Sequence, residues 1–347
     1  MRNKQSGFSR RSVLRTGLVA GAVAGTVMGF PAIVRSQQAK KLLKPIVAGL
    51  SGKLGDPTVD AIAMIPKILR EKYDVEVDIQ VHPAAALASD LGALEAVQTG
   101  FIDITSHGSA WLQFSDAFAV ADLPYVFTDW DNVMRFFRSD LHKQMAAKME
   151  KDIPVKVLPS VAGGGFRWLL NNRRELRTPK DVQGMRMRTV PSPILTELLR
   201  AWNASPTPMA FPETYTALQQ GVINGDHFQP IWMYQFNFHE VAKFATETKA
   251  VFGFAVQVLN INAFKAMPEA IQKPFMLAAQ DAADLANAKD RELEANYKKL
   301  NAEKGVKIYT PTEAEMKEWR DPALAVWEKS GVAKSIIDAT VALQRSA

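Results

Sequence analysis

Between residues 45 and 108 the apolar positions change period repeatedly. "PIVAGL" (45–50) is a short continuous apolar run that fits a buried strand. "VDAIAMIPKILREKY" (59–73) spaces its apolar residues three and four apart, as a helix does, with Pro66 expected to kink or split it. "VEVDIQVHP" (75–83) alternates with period two, a strand. "DLGALEAVQTG" (90–100) returns to helical spacing and stops at Gly100, and "FIDITSHG" (101–108) is a third strand. Strands and helices alternating at this spacing predict an α/β fold with a parallel sheet covered on both faces. A further helix begins near Asp129.

A second block follows the glycines 163–165, which serve either as a flexible turn or as a crossing between lobes. "FRWLLNN" (166–172) is strand-like, and "TPKDVQG" (178–184) is one helical turn with Thr178 as N-cap and Pro179 at its first position. "MRMRTV" (185–190) is a strand with Met185, Met187 and Thr189 on one face and Arg186, Arg188 and Val190 on the other. Arginine fits such a strand only if its guanidinium reaches water or a fixed anion. "SPILTELLRAWN" (192–203) and "ETYTALQQG" (213–221) are helices, the second closed by Gly221. From 268 to 304 runs a helix on the order of 50 Å long, with Ile271, Phe275, Ala278, Ala282 and Leu285 on one stripe continued by Leu293, Tyr297 and Leu300. A helix of that length can lie along two lobes and tie them together. Thr312 and Glu315 form a capping box that opens the C-terminal helices.

The 347 residues leave room for about two domains. Cysteine is absent, which excludes disulfides, thiolate metal sites and cysteine nucleophiles. The five histidines show no i,i+4 pair and no H-E-x-x-H, so no metal site is expected, and no nucleotide or hydrolase motif occurs. No cofactor is expected. The formal charge is +6, but Arg2, Lys4, Arg10, Arg11, Arg15 and Arg35 lie in residues 1–38, which contain no acid. Six minus six leaves the rest near neutrality, with no electrostatic footprint for nucleic acid. "SRRSVLR" (9–15) followed by the Ala/Gly/Val stretch 17–34 has the pattern of a twin-arginine export signal, with maturation expected near residues 36–40. The stretch is too glycine-rich, and too interrupted by Pro31, to make a good membrane span. A periplasmic location follows.

Several stretches, in order, resemble the solute-binding proteins of tripartite ATP-independent periplasmic (TRAP) transporters, the DctP family. They are "LGALEAVQTGFIDI" (91–104), "DLPYVF" (122–127), "TPKDVQGMRMRTVPSPI" (178–194), "ASPTPMAFPETYTALQQGVINGDH" (204–227) and "HEVAKF" (239–244). The resemblance implies a two-lobed periplasmic-binding-protein fold of type II-like architecture with a long helix spanning both lobes. The expected division is 40–163 plus 254–292 for one lobe and 164–253 plus 293–347 for the other. It implies capture of a small organic acid anion between the lobes and delivery to the small and large integral membrane subunits of a secondary transporter, with no catalysis.

The resemblance also assigns roles. Arg188 ends the family's "G-x-x-x-R" strand and is expected to grip the ligand carboxylate, for which the planar fork of a guanidinium is suited. Arg167 matches a second family arginine, while Arg186 is expected at the solvated rim. Ser109, Phe228 and Gln229 are expected to supply selectivity. Gly108 and Trp111 stand where the sialic-acid-binding branch carries an acidic and a basic residue, so a sialic acid does not fit. Phe228 replaces a usual polar contact and, with Trp168, Trp232 and Met209, suggests a more apolar pocket for an aromatic or branched acid. The rival classes are an exported enzyme acting on a small carboxylate and a ligand-sensing subunit of a signalling system.

Overall fold

The computed structural model describes residues 40–345 except Leu43; the expected export signal lies outside the described residues. Two six-stranded sheets organise the chain. The first runs in the order Ile79–His82, Ile46–Gly49, Ile104–His107, Phe252–Asn260 and Val155–Val157, with Val161–Phe166 also paired to Phe252–Asn260. The second runs Ser205–Pro208, Arg186–Thr189, Gly225–Phe228, Trp168–Asn171, Phe244–Thr246 and Lys307–Tyr309. Neither is wholly parallel. Phe252–Asn260 runs antiparallel to three neighbours in the first sheet, and Trp168–Asn171 runs antiparallel to both of its neighbours in the second. The chain passes from one sheet to the other between Phe166 and Trp168 and returns through Phe252.

The helix Pro57–Tyr73 runs unsplit through Pro66. A mid-helix proline costs about 3 kcal/mol. Val59, Ile62, Ile65 and Leu69 are all buried on a face that packs against the long helix, and at roughly 1.5–3 kcal/mol for each such side chain they outweigh that loss. The stretch 75–83 divides in two, because Val75–Glu76 pairs with Lys40–Lys41 while Ile79–His82 pairs with Ile46–Gly49. Thr178 with Asp181 and Thr312 with Glu315 both form capping boxes.

The long helix, Glu269–Glu303, packs on Pro57–Tyr73 of the first half and on Pro230–Gln235 and Lys307–Tyr309 of the second. Its apolar stripe is shorter than the sequence pattern suggests. Ile271, Phe275, Ala278 and Ala282 are buried, but Leu285 is 56% exposed. The buried face continues instead through Ala286, Asn287 and Asp290. There the neighbour is a strand edge with amides to satisfy. Asn287 Oδ1 accepts from the Ala162 amide at 2.7 Å, Asp290 Oδ2 from Gly164 at 2.8 Å, and Glu294 Oε1 from Phe166 at 3.2 Å. Spacings of three and four along the helix thus match alternate residues of the strand.

Glycines 163–165 lie inside the strand Val161–Phe166 and are buried. Gly164 and Gly165 have φ of 94° and 78°, a region other residues avoid. A Cβ on Gly164 would strike Ile231, and one on Gly253, which pairs opposite Gly165, would strike the Gln229 side chain. The crossing between the sheets is therefore tightly packed. At the other end of the chain, the helix Lys334–Arg345 lies on Trp130–Arg138, where Arg135 Nε donates to the Leu343 carbonyl at 3.1 Å.

Candidate functional site

A cavity of about 70 Å³ opens where the strand ends of the two sheets face each other. A space of this size suits a small occupant. Arg188 reaches it from the strand Arg186–Thr189. Arg186 and Arg188 share a strand face but differ in depth: Arg186 is exposed and donates to the Gly221 carbonyl, whereas Arg188 is 1% exposed. Parallel pairing sets Arg188 beside Asp226, and Nη1 donates to Asp226 Oδ2 at 3.3 Å. Nε donates to the Met209 carbonyl at 3.1 Å, and the guanidinium lies 5.7 Å from the Phe211 ring centroid. Two of its three nitrogens are thus engaged within the protein. Nη2, buried, makes no hydrogen bond to the described residues.

Arg167 sits at the crossing between the sheets, its amide bonded to the Val251 carbonyl. Nη2 donates to Ser109 Oγ at 3.1 Å, Ser109 donates to Asp122 Oδ1 at 2.7 Å, and Ser192 donates to Asp122 Oδ2 at 3.0 Å. Arg167 Nε, also buried, makes no hydrogen bond to the described residues. Buried donors are normally satisfied, so one nitrogen of each arginine marks the cavity as a place for an acceptor.

The acids beside these arginines are held unusually. Burial pushes the Asp226 carboxyl up to about 6, against the pull of Arg188, the His227 amide and Arg167. Burial likewise raises Asp122, against Arg167 and its two serine donors. His227 lines the cavity between Asp226 and Phe228, 2% exposed, with neither ring nitrogen bonded to the described residues. Burial, reinforced by Arg167, holds its pKa well below the usual histidine range, so the ring is neutral.

Ser109, Arg167, Arg188, Phe228, Gln229 and Trp232 all line the cavity. Trp168 does not; it is 3% exposed in the apolar cluster with Leu170, Phe211 and Phe228. The Met209 side chain packs against that same cluster, and only its carbonyl serves the site. Trp232 bridges the two halves: its Nε1 donates at 2.6 Å to Oδ2 of Asp56, the N-cap of Pro57–Tyr73. Lys53 adds a second bridge, donating to the Gln235 carbonyl at 2.8 Å. Sequence reasoning missed Asp122, Asp226, His227, Asp90 and His107. Asp226 and His227 were within reach, since they flank Phe228 on one strand. No cluster of metal-ligating side chains occurs among the described residues.

Comparison with known proteins gives a consistent picture. Residues 49–333 match the family model described as bacterial extracellular solute-binding protein, family 7 (DctP). The C4-dicarboxylate-binding periplasmic protein DctP of Rhodobacter capsulatus is 30% identical over 290 residues, 81% of this chain and 84% of the relative. Among solved structures, a TRAP periplasmic solute-binding protein from Shewanella oneidensis with bound succinate superposes with a TM-score of 0.82. The two share 24% identity, over 87% of this chain and all of that one. One from Polaromonas bound to D-erythronate gives a TM-score of 0.80 at 23% identity, over 86% of this chain and 98% of that one.

Proposed function

Because the chain belongs to family 7 of the bacterial extracellular solute-binding proteins, the DctP family, we propose that it is a periplasmic receptor for a small carboxylate. It captures the anion between its two halves and delivers it to the small and large membrane subunits of a TRAP transporter. The observation that carries this reading is the pair of buried guanidinium nitrogens, Arg188 Nη2 and Arg167 Nε, with no partner among the described residues in an interlobe cavity. A carboxylate has an oxygen for each, so the anchor is a clamp of two arginines rather than one fork. Ser109 orients Arg167, and Gln229, Phe228 and Trp232 close the walls.

The strands of the two sheets support a division into lobes of 40–163 plus 254–292 and 164–253 plus 293–347, although the helix Lys334–Arg345 of the second lies on Trp130–Arg138 of the first. A hinge motion brings Trp232 against Asp56, and the ligand stabilises that arrangement through contacts made only when closed. The relatives are solute-binding proteins rather than enzymes. No helix among the described residues is long and apolar enough to cross a membrane.

A thermal-shift screen tests the function, since a ligand selective for the native state raises the melting temperature. Small carboxylates are expected to raise it, and the matching amides and alcohols are not; equal shifts from the uncharged analogues would refute a carboxylate receptor. A pH dependence follows from Asp226. As pH rises through about 6, Asp226 ionises and competes with the ligand for Arg188, the Arg167 charge and the His227 amide being its other neighbours. Affinity for a carboxylate already ionised at pH 5 is expected to fall by about three- to tenfold between pH 5 and 7.5. In Asp226→Asn most of that slope is expected to vanish, as read by calorimetry.

A further inference from the structure

The wall facing the arginines is built from Ser51, Asp90, Ser106 and His107 of the first half. Its proton inventory can be counted. Ser51 Oγ donates to Asp90 Oδ1 at 2.6 Å, so its one proton is used. Thr105 Oγ1 lies 2.8 Å from the Gly49 carbonyl and 2.9 Å from His107 Nε2. A carbonyl only accepts, so the threonine proton goes to Gly49, and the contact with His107 requires Nε2 to carry the hydrogen. Burial lowers the His107 pKa, opposed by Asp90, so the ring is neutral and Nδ1 is a bare acceptor. That nitrogen lies 3.9 Å from Asp90 Oδ1. Asp90 Oδ2 takes no hydrogen bond from the described residues. Asp90 and His107 are 8% and 6% exposed and line the cavity, so what these two acceptors meet there is its occupant.

The charge balance points the same way. Two guanidiniums are matched by three protein carboxyl groups: Asp226 and Asp122 beside the arginines, and Asp90 on the cavity wall itself. We propose that the cavity selects a monocarboxylate bearing a hydrogen-bond donor, hydroxyl or ammonium, at the end remote from its carboxylate, and discriminates against dicarboxylates. This rests on the carboxylate reading above. The acid's carboxylate goes to the arginines, and its donor settles between Asp90 and His107 Nδ1. A second carboxylate there would meet the Asp90 carboxylate and the bare His107 Nδ1, against which the wall sets one unpartnered side-chain donor among the described residues, the Ser106 hydroxyl, and the balance is unfavourable in a desolvated site.

The test is calorimetric titration of the purified protein with acids of about three to six carbons. Each chain length is taken with a methyl, hydroxyl, ammonium or carboxylate far end. The hydroxyl or ammonium acid is expected to bind at least about tenfold tighter than the methyl and carboxylate acids of the same length. Whichever of the two wins identifies the donor. Asp90→Asn, which supplies a donor where there was an acceptor, is expected to shift the ratio at least about fivefold toward the dicarboxylate. A dicarboxylate binding tightest to the unmodified protein overturns the proposal, as does an unchanged ratio in folded Asp90→Asn. If that variant fails to fold, the ranking in the unmodified protein decides alone. Failure of every acid to bind overturns the carboxylate reading itself, a result distinct from a tight dicarboxylate.

Discussion

Replacing Arg188 with alanine is expected to weaken binding of the best carboxylate by at least ~30-fold, about 2 kcal/mol. The reasoning starts from burial. The guanidinium is almost fully enclosed and fixed by Met209 and Asp226, so its free nitrogen is presented in a fixed position. Removing a buried charged partner typically costs about 2–5 kcal/mol in binding. The same change leaves Asp226 without its ion pair, and breaking a buried pair destabilises a fold by about 3–5 kcal/mol when the remaining charge stays ionised. Asp226 has an escape, because its carboxyl already sits near 6. The loss of melting temperature in Arg188→Ala is therefore expected to be larger at pH 8 than at pH 5. Adding Asp226→Asn should restore stability without restoring binding. Undiminished affinity in folded Arg188→Ala would remove this residue from the site.

The second large effect concerns Asp290, on the long helix. Burial raises its carboxyl to about 8, with the Gly164 amide opposing and Asp56 and Glu294 reinforcing. An acid whose pKa is raised on folding binds more protons in the native state than in the unfolded one. Stability therefore falls as pH rises from the unfolded value toward 8. The buried histidines His107, His142 and His227 have lowered values and act below pH 6.5, so they leave the alkaline side of this window clear. Between pH 6.5 and 9 the native protein is expected to lose about 2 kcal/mol through this group. Asp290→Asn keeps an acceptor for Gly164 and removes the titration, so its stability should be flatter across that range and higher at pH 9. Denaturant melts at several pH values check both. A variant with the same slope as the native protein would show that Asp290 is ionised without cost.

Much of the fold was legible because it rests on local rules. Gly100 ends a helix in the left-handed region, Ser192 and Asp129 cap the helices that follow them, and Thr312 pairs with Glu315. The long helix and its first apolar turns followed from spacing alone. What escaped depends on what lies opposite. Leu285 has the right spacing to be buried, yet the partner at that height is a strand edge, and a strand edge asks for acceptors. Asn287, Asp290 and Glu294, at intervals of three and four, were the signal. The site divides in the same way. Arg188 stood out as a charge in a strand, while Asp90 and His107 belong to separate elements whose meeting is a tertiary fact. Trp168 could not be told from a pocket residue, because an aromatic on a strand suits either side of the sheet.

Glycines 163–165 look, in a bare sequence, like slack in the chain. Here the room that side chains at Gly164 and Gly165 would take is filled by Ile231, Gln229 and Glu294. A methyl at Gly164 or Gly165 would act as a wedge, prising the long helix or the Gln229 shoulder away from the crossing. Smallness at this point lets the long helix and the Gln229 side chain seat directly on the crossing strand.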